Sequence, residues 1–353
     1  MSPLQSVIPE YKPKDSRLDS NVAVADFLSH RTGLSGDMSI GMQGDLEFLL
    51  PPSELVTAVS DLDTVAPLRR QYMYNNWGYS VAGGIIERLS QKPFHEYLRE
   101  ALLDPLNLTN TTSRPVLDDS ADFAEAYTAL RDSRFYPLPR ALPFKKSIFE
   151  SAGGIYSTVN DLLNKQIPFD NSKDDSPFYG FGWIGTQIPG NVGLQGDNAE
   201  LFTWDELPTL GIDSPPMFTY YHQGAAIGYY SALFTFPATR SAVVVLTNSM
   251  PLNDAADWIA QLAKEARRRK LSNVASMKSK LEDIKRHHPS TPRDLATYTG
   301  TYINDIRNFY IVVRQYPAEP DCLELLFQGR DMQVYELRHL RDDTFEWALD
   351  YDE

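Results

Sequence analysis

Three consecutive stretches in which apolar and polar residues alternate constrain the fold of this chain most. They are "FTYYHQG" (218–224), "YYSALFTFP" (229–237) and "SAVVVLTNS" (241–249), and only short turns separate them. A period of two is typical of β-strands, and consecutive strands that are joined by tight turns run antiparallel. The sequence therefore predicts an antiparallel sheet of at least these three strands.

Upstream of these strands the apolar residues recur with helical spacing. From Asn76 onward, Val81, Ile85 and Leu89 fall on one stripe, which predicts a long amphipathic helix. Further helices are predicted over residues 20–30, 52–62, 93–103 and 252–270, the last with a charged continuation to about 286. The segment 151–165 is predicted to form a tight Gly-Gly turn and then a helix. Ser20 or Asn21 is expected to cap the first of these, and Ser157 or Thr158 the helix that follows the Gly-Gly turn.

The tail of the chain has a different pattern. After the linker-like "HHPSTP" (287–292), four or five segments with strand character follow one another in residues 293–353. We therefore predict an α/β (α+β) fold with an antiparallel sheet flanked by helices over 1–286, and a small C-terminal antiparallel β module over 287–353. The last strand reaches the chain end without a turn, so the module is expected to be C-terminally incomplete.

Composition argues against several classes of partner. The 353 residues include 47 acidic and 33 basic side chains, and a net charge of −14 argues against nucleic-acid binding. No apolar run approaches the roughly 20 residues of a membrane helix, and no signal peptide is visible, so a cytoplasmic protein without membrane partners is expected. One cysteine and six scattered histidines provide no metal-ligand spacing, and no cofactor motif is present. We expect neither metal nor cofactor.

Five segments carry a more specific signal. In order they are "DFLSHRTGL" (26–34), "YNNWGYSVAGGIIE" (74–87), "DPLNLTNTT" (104–112), "SAGGIYSTVNDLL" (151–163) and "YHQGAAIGYYSALFTFPATRSAVVVLTN" (221–248). Their order and spacing over about residues 8–262 resemble the serine β-lactamase and penicillin-binding-protein family, in its class C and esterase-like branch. The tail resembles the lipocalin-like β domain that is appended to many fungal members.

The resemblance implies a β-lactamase/transpeptidase-like fold and assigns roles to five residues. Tyr74 would be the general base and acid, Asn76 would hydrogen-bond the substrate carbonyl, and His222 with Gly224 would form the third motif. The backbone N–H of Ala225 would donate to the oxyanion. The implied partner is a small-molecule acyl substrate, such as an ester, thioester or lactone, which would undergo hydrolysis or acyl transfer (transesterase chemistry). The expected setting is fungal secondary metabolism.

One element of the resemblance is missing. The family's first motif is Ser-x-x-Lys, and no serine of this chain has a lysine three residues later. The larger domain is therefore expected to be N-terminally incomplete and inactive as a serine hydrolase, since a serine hydroxyl needs a neighbouring base. Two alternatives stay open: a nucleophile-less relative that binds a ligand or partner, and an interaction protein that uses the β module.

Overall fold

The fold is that of a computed structural model. It describes residues 3–38, 47–116, 123–130, 132, 134–139, 144–164, 178–192, 201, 203, 206–207, 209–212, 215–250, 254, 256, 260–317, 319, 321–331 and 334–347. Its α-helices are α1 (Val24–Leu28), α2 (Leu55–Ser60), α3 (Trp77–Ser90), α4 (Phe94–Leu98), α5 (Glu150–Gly153), α6 (Val159–Asn164) and α7 (Ala260–His287). A π-helical turn, Arg99–Leu103, continues α4.

Most strands of the first 250 residues belong to two sheets. The strands are β1 (Tyr127–Ala129), β2 (Phe135–Pro137), β3 (Phe178–Gly180), β4 (Trp183–Ile188), β5 (Gly190–Asn191), β6 (Thr209–Leu210), β7 (Met217–Ala226), β8 (Tyr229–Phe236), β9 (Ser241–Thr247) and β10 (Ser249–Met250). The larger sheet has the order β3-β4-β7-β8-β9 and is antiparallel throughout. A smaller sheet has the order β10-β1-β2, and β5 pairs with β6.

The C-terminal strands form a separate antiparallel sheet in sequential order. They are β11 (Gly300–Ile303), β12 (Tyr310–Gln315), β13 (Leu323–Phe327), β14 (Tyr335–Arg341) and β15 (Thr344–Trp347). Strand β13 is almost wholly buried, and Leu323, Leu325 and Leu337 form the centre of an apolar cluster. The predicted small β module is therefore confirmed as a sheet.

The main core lies among the helices. Trp77, Phe149 and Phe27 are each at most 2 % exposed and bring the starts of α3 and α5 together with α1. The approach is close enough to require glycine in α3, since a Cβ at Gly78 would lie 2.4 Å from the carbonyl oxygen of Phe27. A Cβ at Gly83 would lie 2.1 Å from Ser151 Oγ. This packing fixes where α3 begins, and with it the loop that precedes the helix.

The main elements agree with the sequence-based predictions. The segments 218–224, 229–237 and 241–249 are neighbouring antiparallel strands, and the fold class is confirmed. Thr158 caps α6, because its Oγ1 accepts the N–H of Asp161 at 3.3 Å. The predicted cap of the first helix was wrong: α1 starts only at Val24, and Asp26 accepts the N–H of Ala23.

Other outcomes are partial. The described part of α7 begins at Ala260, and most of 252–259 lies outside the described residues. The boundary between two domains near residue 286 stays a prediction. No helix in the described ranges is both long and apolar enough to cross a bilayer.

Candidate active site

Tyr74 lies on a loop that its neighbour Asn75 holds in place. The Asn75 side chain is buried, and its Oδ1 accepts the N–H of Trp77 at 3.0 Å while its Nδ2 donates to the carbonyls of Leu34 and Ser35. Asn75 therefore satisfies an N-terminal amide of α3. With this neighbour anchored inside, Tyr74 is presented at the surface and keeps 40 % of its area exposed.

Asn76 is the last residue before α3. Its carbonyl accepts the N–H groups of Tyr79 and Ser80, at 3.1 Å each, so its backbone already belongs to the first helical turn. Its side-chain Nδ2 lies 3.1 Å from the sulfur of Met38, which is a weak acceptor. Asn76 thus stands at the start of the helix, two residues after Tyr74, and its contact with a substrate carbonyl stays a prediction.

His222 reaches the same place from the sheet. It lies on β7 one residue beyond Tyr221, the last position at which β7 pairs with β4. Its Nδ1 lies 2.5 Å from the carbonyl oxygen of Gln223. The rings of His222 and Tyr74 have centroids 6.2 Å apart. The structure therefore brings together two of the predicted site residues from a loop and a strand that are far apart in sequence.

The hairpin that follows His222 sets the direction of the backbone at Ala225. Ala226 pairs with Tyr229 across a two-residue loop, in which Gly228 has φ +85°. The two residues that flank such a loop form a hydrogen-bonded pair. From there, hydrogen-bonded and non-hydrogen-bonded pairs alternate along the two strands. Ala225 therefore occupies a non-hydrogen-bonded position relative to β8, and its N–H points away from β8, beyond the end of β4.

The pairing of β7 with β8 also requires a glycine at position 224. Gly224 faces Ser231 on β8, and a Cβ at position 224 would lie 2.5 Å from Ser231 Oγ. Since side chains alternate along a strand, Gly224 shares a face with His222. The absence of a side chain at position 224 makes room for the Ser231 hydroxyl on this face of the sheet.

Three tyrosines and a second histidine complete the cluster, and the sequence analysis did not identify them. His30 has ring contacts with Tyr72, Tyr74, Tyr79 and Tyr179 at centroid distances of 5.6, 4.4, 5.4 and 4.7 Å respectively. His30 is 1 % exposed and lies under the Tyr74 ring. Its segment "DFLSHRTGL" was a possible signal, whereas Tyr179 lies on the three-residue strand β3, which no periodicity indicates.

The described titratable groups of this cluster are uncharged at neutral pH. Desolvation lowers the pKa of His30 to about 4, and His222 adds to the effect. Desolvation also lowers the pKa of His222. Although two-fifths of Tyr74 is exposed, desolvation of its surroundings, together with Tyr79, raises its pKa to about 12. A nearby cation would have lowered this pKa, so Tyr74 carries its proton here.

A cavity of about 750 Å³ adjoins the cluster on the side of Tyr179. Asp26, Arg31 and Arg69 also line it. Arg69 is already paired with Asp26 through two contacts of 2.8 Å. Tyr74 and His222 are not among the lining residues, so the cavity borders the cluster rather than containing it.

One group within the described residues has the donor spacing of a metal site, and it lies in the β module. The ligand atoms of Glu319, Cys322 and Glu336 are all within 4.8 Å of one another. Arg338 forms ion pairs with both carboxylates. A guanidinium therefore already balances the charge that would attract a cation.

Comparison with known proteins gives the context of this site. A sequence model of the family described as Beta-lactamase matches residues 2–267. Penicillin-binding protein 4 of Amycolatopsis lactamdurans is 22 % identical over 268 residues, which cover 69 % of this chain and 63 % of that protein. Unguisins hydrolase ungD of Aspergillus violaceofuscus is 23 % identical over 379 aligned positions, which cover 94 % and 63 %. The chain thus spans less than two thirds of the length of either curated relative.

A solved structure has a similar fold. A solved class C beta-lactamase superposes with a TM-score of 0.51 at 17 % identity, over 77 % of this chain and 74 % of that one. At this identity the likeness concerns the fold alone. Since the family model matches well over half of the residues, the chain belongs to the Beta-lactamase family.

Proposed function

We propose that this chain binds a neutral acyl compound between Tyr74 and His222, as part of a β-lactamase-like hydrolase. The observation that carries the proposal is the approach of these two rings to 6.2 Å, on the strand where the N–H of Ala225 points away from β8. A substrate carbonyl placed there would accept from Ala225, while the Tyr74 hydroxyl and the Asn76 amide would lie at its reacting carbon.

The charge state of the cluster favours an ester, thioester or lactone over a carboxylate-bearing substrate. His30 and His222 are neutral at pH 7, because burial lowers the pKa of each. An anionic group would lose water here without gaining a positive partner from these residues. The molecule that accepts the acyl group decides the reaction: water gives hydrolysis, and an alcohol gives acyl transfer. The name of the Aspergillus relative supports hydrolysis, and fungal secondary metabolism stays the proposed setting.

The covalent step needs a group that these residues do not supply. With a pKa of about 12, Tyr74 is protonated at neutral pH and is a hydrogen-bond donor rather than a base. None of the 353 residues forms a Ser-x-x-Lys motif. We therefore propose that this chain binds its acyl ligand but does not form an acyl-enzyme. The second candidate is a protein that lacks the nucleophile altogether and only binds the ligand, and a protonated Tyr74 agrees with it equally well.

A fluorophosphonate serine probe and p-nitrophenyl butyrate test this proposal. The 353-residue protein is expected to gain no mass from the probe and to release no nitrophenolate above the rate of a heat-denatured sample. The DNA upstream of codon 1 should be read in parallel. An in-frame Ser-x-x-Lys there should give a longer chain that takes up the probe and turns over the ester, with Tyr74→Phe abolishing turnover. Stoichiometric labelling of the 353-residue protein would refute the proposal.

A further inference from the structure

A line of hydrogen bonds crosses the cluster beneath Tyr74, and its first donor is a backbone amide. The N–H of Asn75 donates to Nδ1 of His30 at 3.0 Å. A neutral imidazole has one donor and one acceptor nitrogen, so the proton of His30 lies on Nε2. That Nε2 is 2.9 Å from the hydroxyl of Tyr179, to which it donates.

The other end of the line is a backbone carbonyl. Nδ1 of His222 lies 2.5 Å from the carbonyl oxygen of Gln223, which can only accept. The proton of neutral His222 therefore lies on Nδ1, and its Nε2 presents a lone pair. This lone pair is 3.4 Å from the Tyr179 hydroxyl. The two histidines are thus expected in opposite tautomers.

The Tyr179 hydroxyl joins the two histidines. Because its oxygen accepts from His30, its own proton is available for one donation. Two acceptors lie 3.4 Å away, namely His222 Nε2 and the Tyr79 hydroxyl. Tyr79 in turn donates to the carbonyl of Leu28 at 3.1 Å. An imidazole nitrogen is a stronger acceptor than a phenol oxygen, so the proton of Tyr179 goes to His222.

We infer that Tyr179 and His30 are positioning residues, which hold His222 as its Nδ1–H tautomer with the Nε2 lone pair engaged by Tyr179. Both ends of the line are backbone groups, one next to Tyr74 and one next to His222. The line therefore ties the Tyr74 loop to strand β7 and fixes the direction of every donor between them. Its positioning role rests on the function proposed above, whereas the tautomers do not.

The consequence concerns how His222 meets a ligand. With Nδ1 bound to its neighbouring carbonyl and Nε2 to Tyr179, the ring has no spare nitrogen for an acyl substrate. His222 then acts through its shape and position, and the hydrogen bonds to a substrate come from Tyr74, Asn76 and Ala225. Removing the Tyr179 hydroxyl should free Nε2 without removing the aromatic ring.

Long-range ¹H–¹⁵N correlation of the imidazole rings tests the assignment on the full 353-residue chain. His30→Gln and His222→Gln identify the two sets of signals by their disappearance. Wild-type protein at pH 7 should show His30 protonated on Nε2 and His222 protonated on Nδ1. Tyr179→Phe should move the Nε2 resonance of His222 toward that of a nitrogen without a hydrogen bond. Tyr72→Phe removes a hydroxyl from the same cluster and should leave that resonance in place.

Each contrary result overturns the inference. An Nε2–H tautomer of wild-type His222, or averaged shifts from two tautomers, would show that the line does not fix the ring. An unchanged His222 Nε2 shift in Tyr179→Phe would show that Tyr179 donates to Tyr79 instead. These NMR signals are measured without a substrate, so they test the inference alone. The serine probe and the ester test the proposed function separately.

Discussion

The rings of Tyr74 and His30 lie 4.4 Å apart, with their planes inclined by 43°. His30 is buried and Tyr74 is partly exposed, so the histidine forms the floor on which the tyrosine rests. The floor is neutral, because desolvation lowers the pKa of His30 to about 4. A site built on this pair is expected to bind a ligand through hydrogen bonds rather than through ion pairs.

Burial of a neutral His30 should make stability depend on pH. The folded-state pKa of about 4 is lower than the usual 6.5, so between these values the unfolded chain binds more protons. The contribution of His30 to the free energy of unfolding is fully present above about pH 6.5 and is lost as the pH falls toward 4. Its full size is about 3 kcal/mol. Urea unfolding of wild type and His30→Gln at several pH values should show their difference shrinking as the pH falls.

A difference between wild type and His30→Gln that is the same at pH 4.5 and pH 7 would rule out a buried neutral histidine at position 30.

The buried ion pair between Arg114 and Glu150 should contribute far more to stability than a surface pair. The Glu150 side chain is 5 % exposed and receives two contacts from Arg114, at 2.8 and 2.7 Å. Arg114→Met leaves a buried carboxylate without its cation and should lower the free energy of unfolding by about 3 kcal/mol. The pair Arg88–Glu10 is exposed on both sides, so Arg88→Met should lower the free energy of unfolding far less. Equal losses in chemical denaturation would contradict this account.

Two glycines of α3 should respond differently to alanine. A Cβ at Gly78 would lie 2.4 Å from a backbone oxygen of Phe27, which cannot move without shifting α1. At Gly84 the nearest atom is Cδ2 of Leu55, at 2.8 Å on a flexible side chain. Since alanine favours a helix by about 1 kcal/mol over glycine, Gly84→Ala should be close to neutral. Gly78→Ala should destabilise by about 2 kcal/mol. Thermal unfolding of both variants checks the order, and the reverse order would show that α1 and α3 do not pack in this way.

The sequence was most informative where periodicity and local chemistry agree. Strands β7, β8 and β9 alternate clearly and are joined by short turns, so their order follows from the chain itself. Helix α3 was visible from its apolar stripe, and Thr158 was identified as a cap by its residue type and its place after Gly-Gly. Tyr74 and His222 were found through motif order, and the structure places their rings together.

What the sequence could not predict depends on contacts between distant segments. Strand β3 has three residues, too few for a period, so Tyr179 gave no sign of its contact with His222. The start of α1 depends on Asp26, whose carboxylate is held by Arg69 from another loop. The anchor of the Tyr74 loop is Asn75, although the motif directs attention to Asn76.

Amide NMR at Ala225 tests the central claim most directly. Phenyl acetate, a neutral ester, is titrated into the ¹⁵N-labelled 353-residue protein while intact mass is followed. We predict that the Ala225 amide and the His222 ring shift together and saturably, that the mass stays unchanged, and that Tyr74→Phe weakens the binding. Saturable shifts elsewhere with Ala225 and His222 unmoved, or a covalent acetyl adduct, would contradict the account.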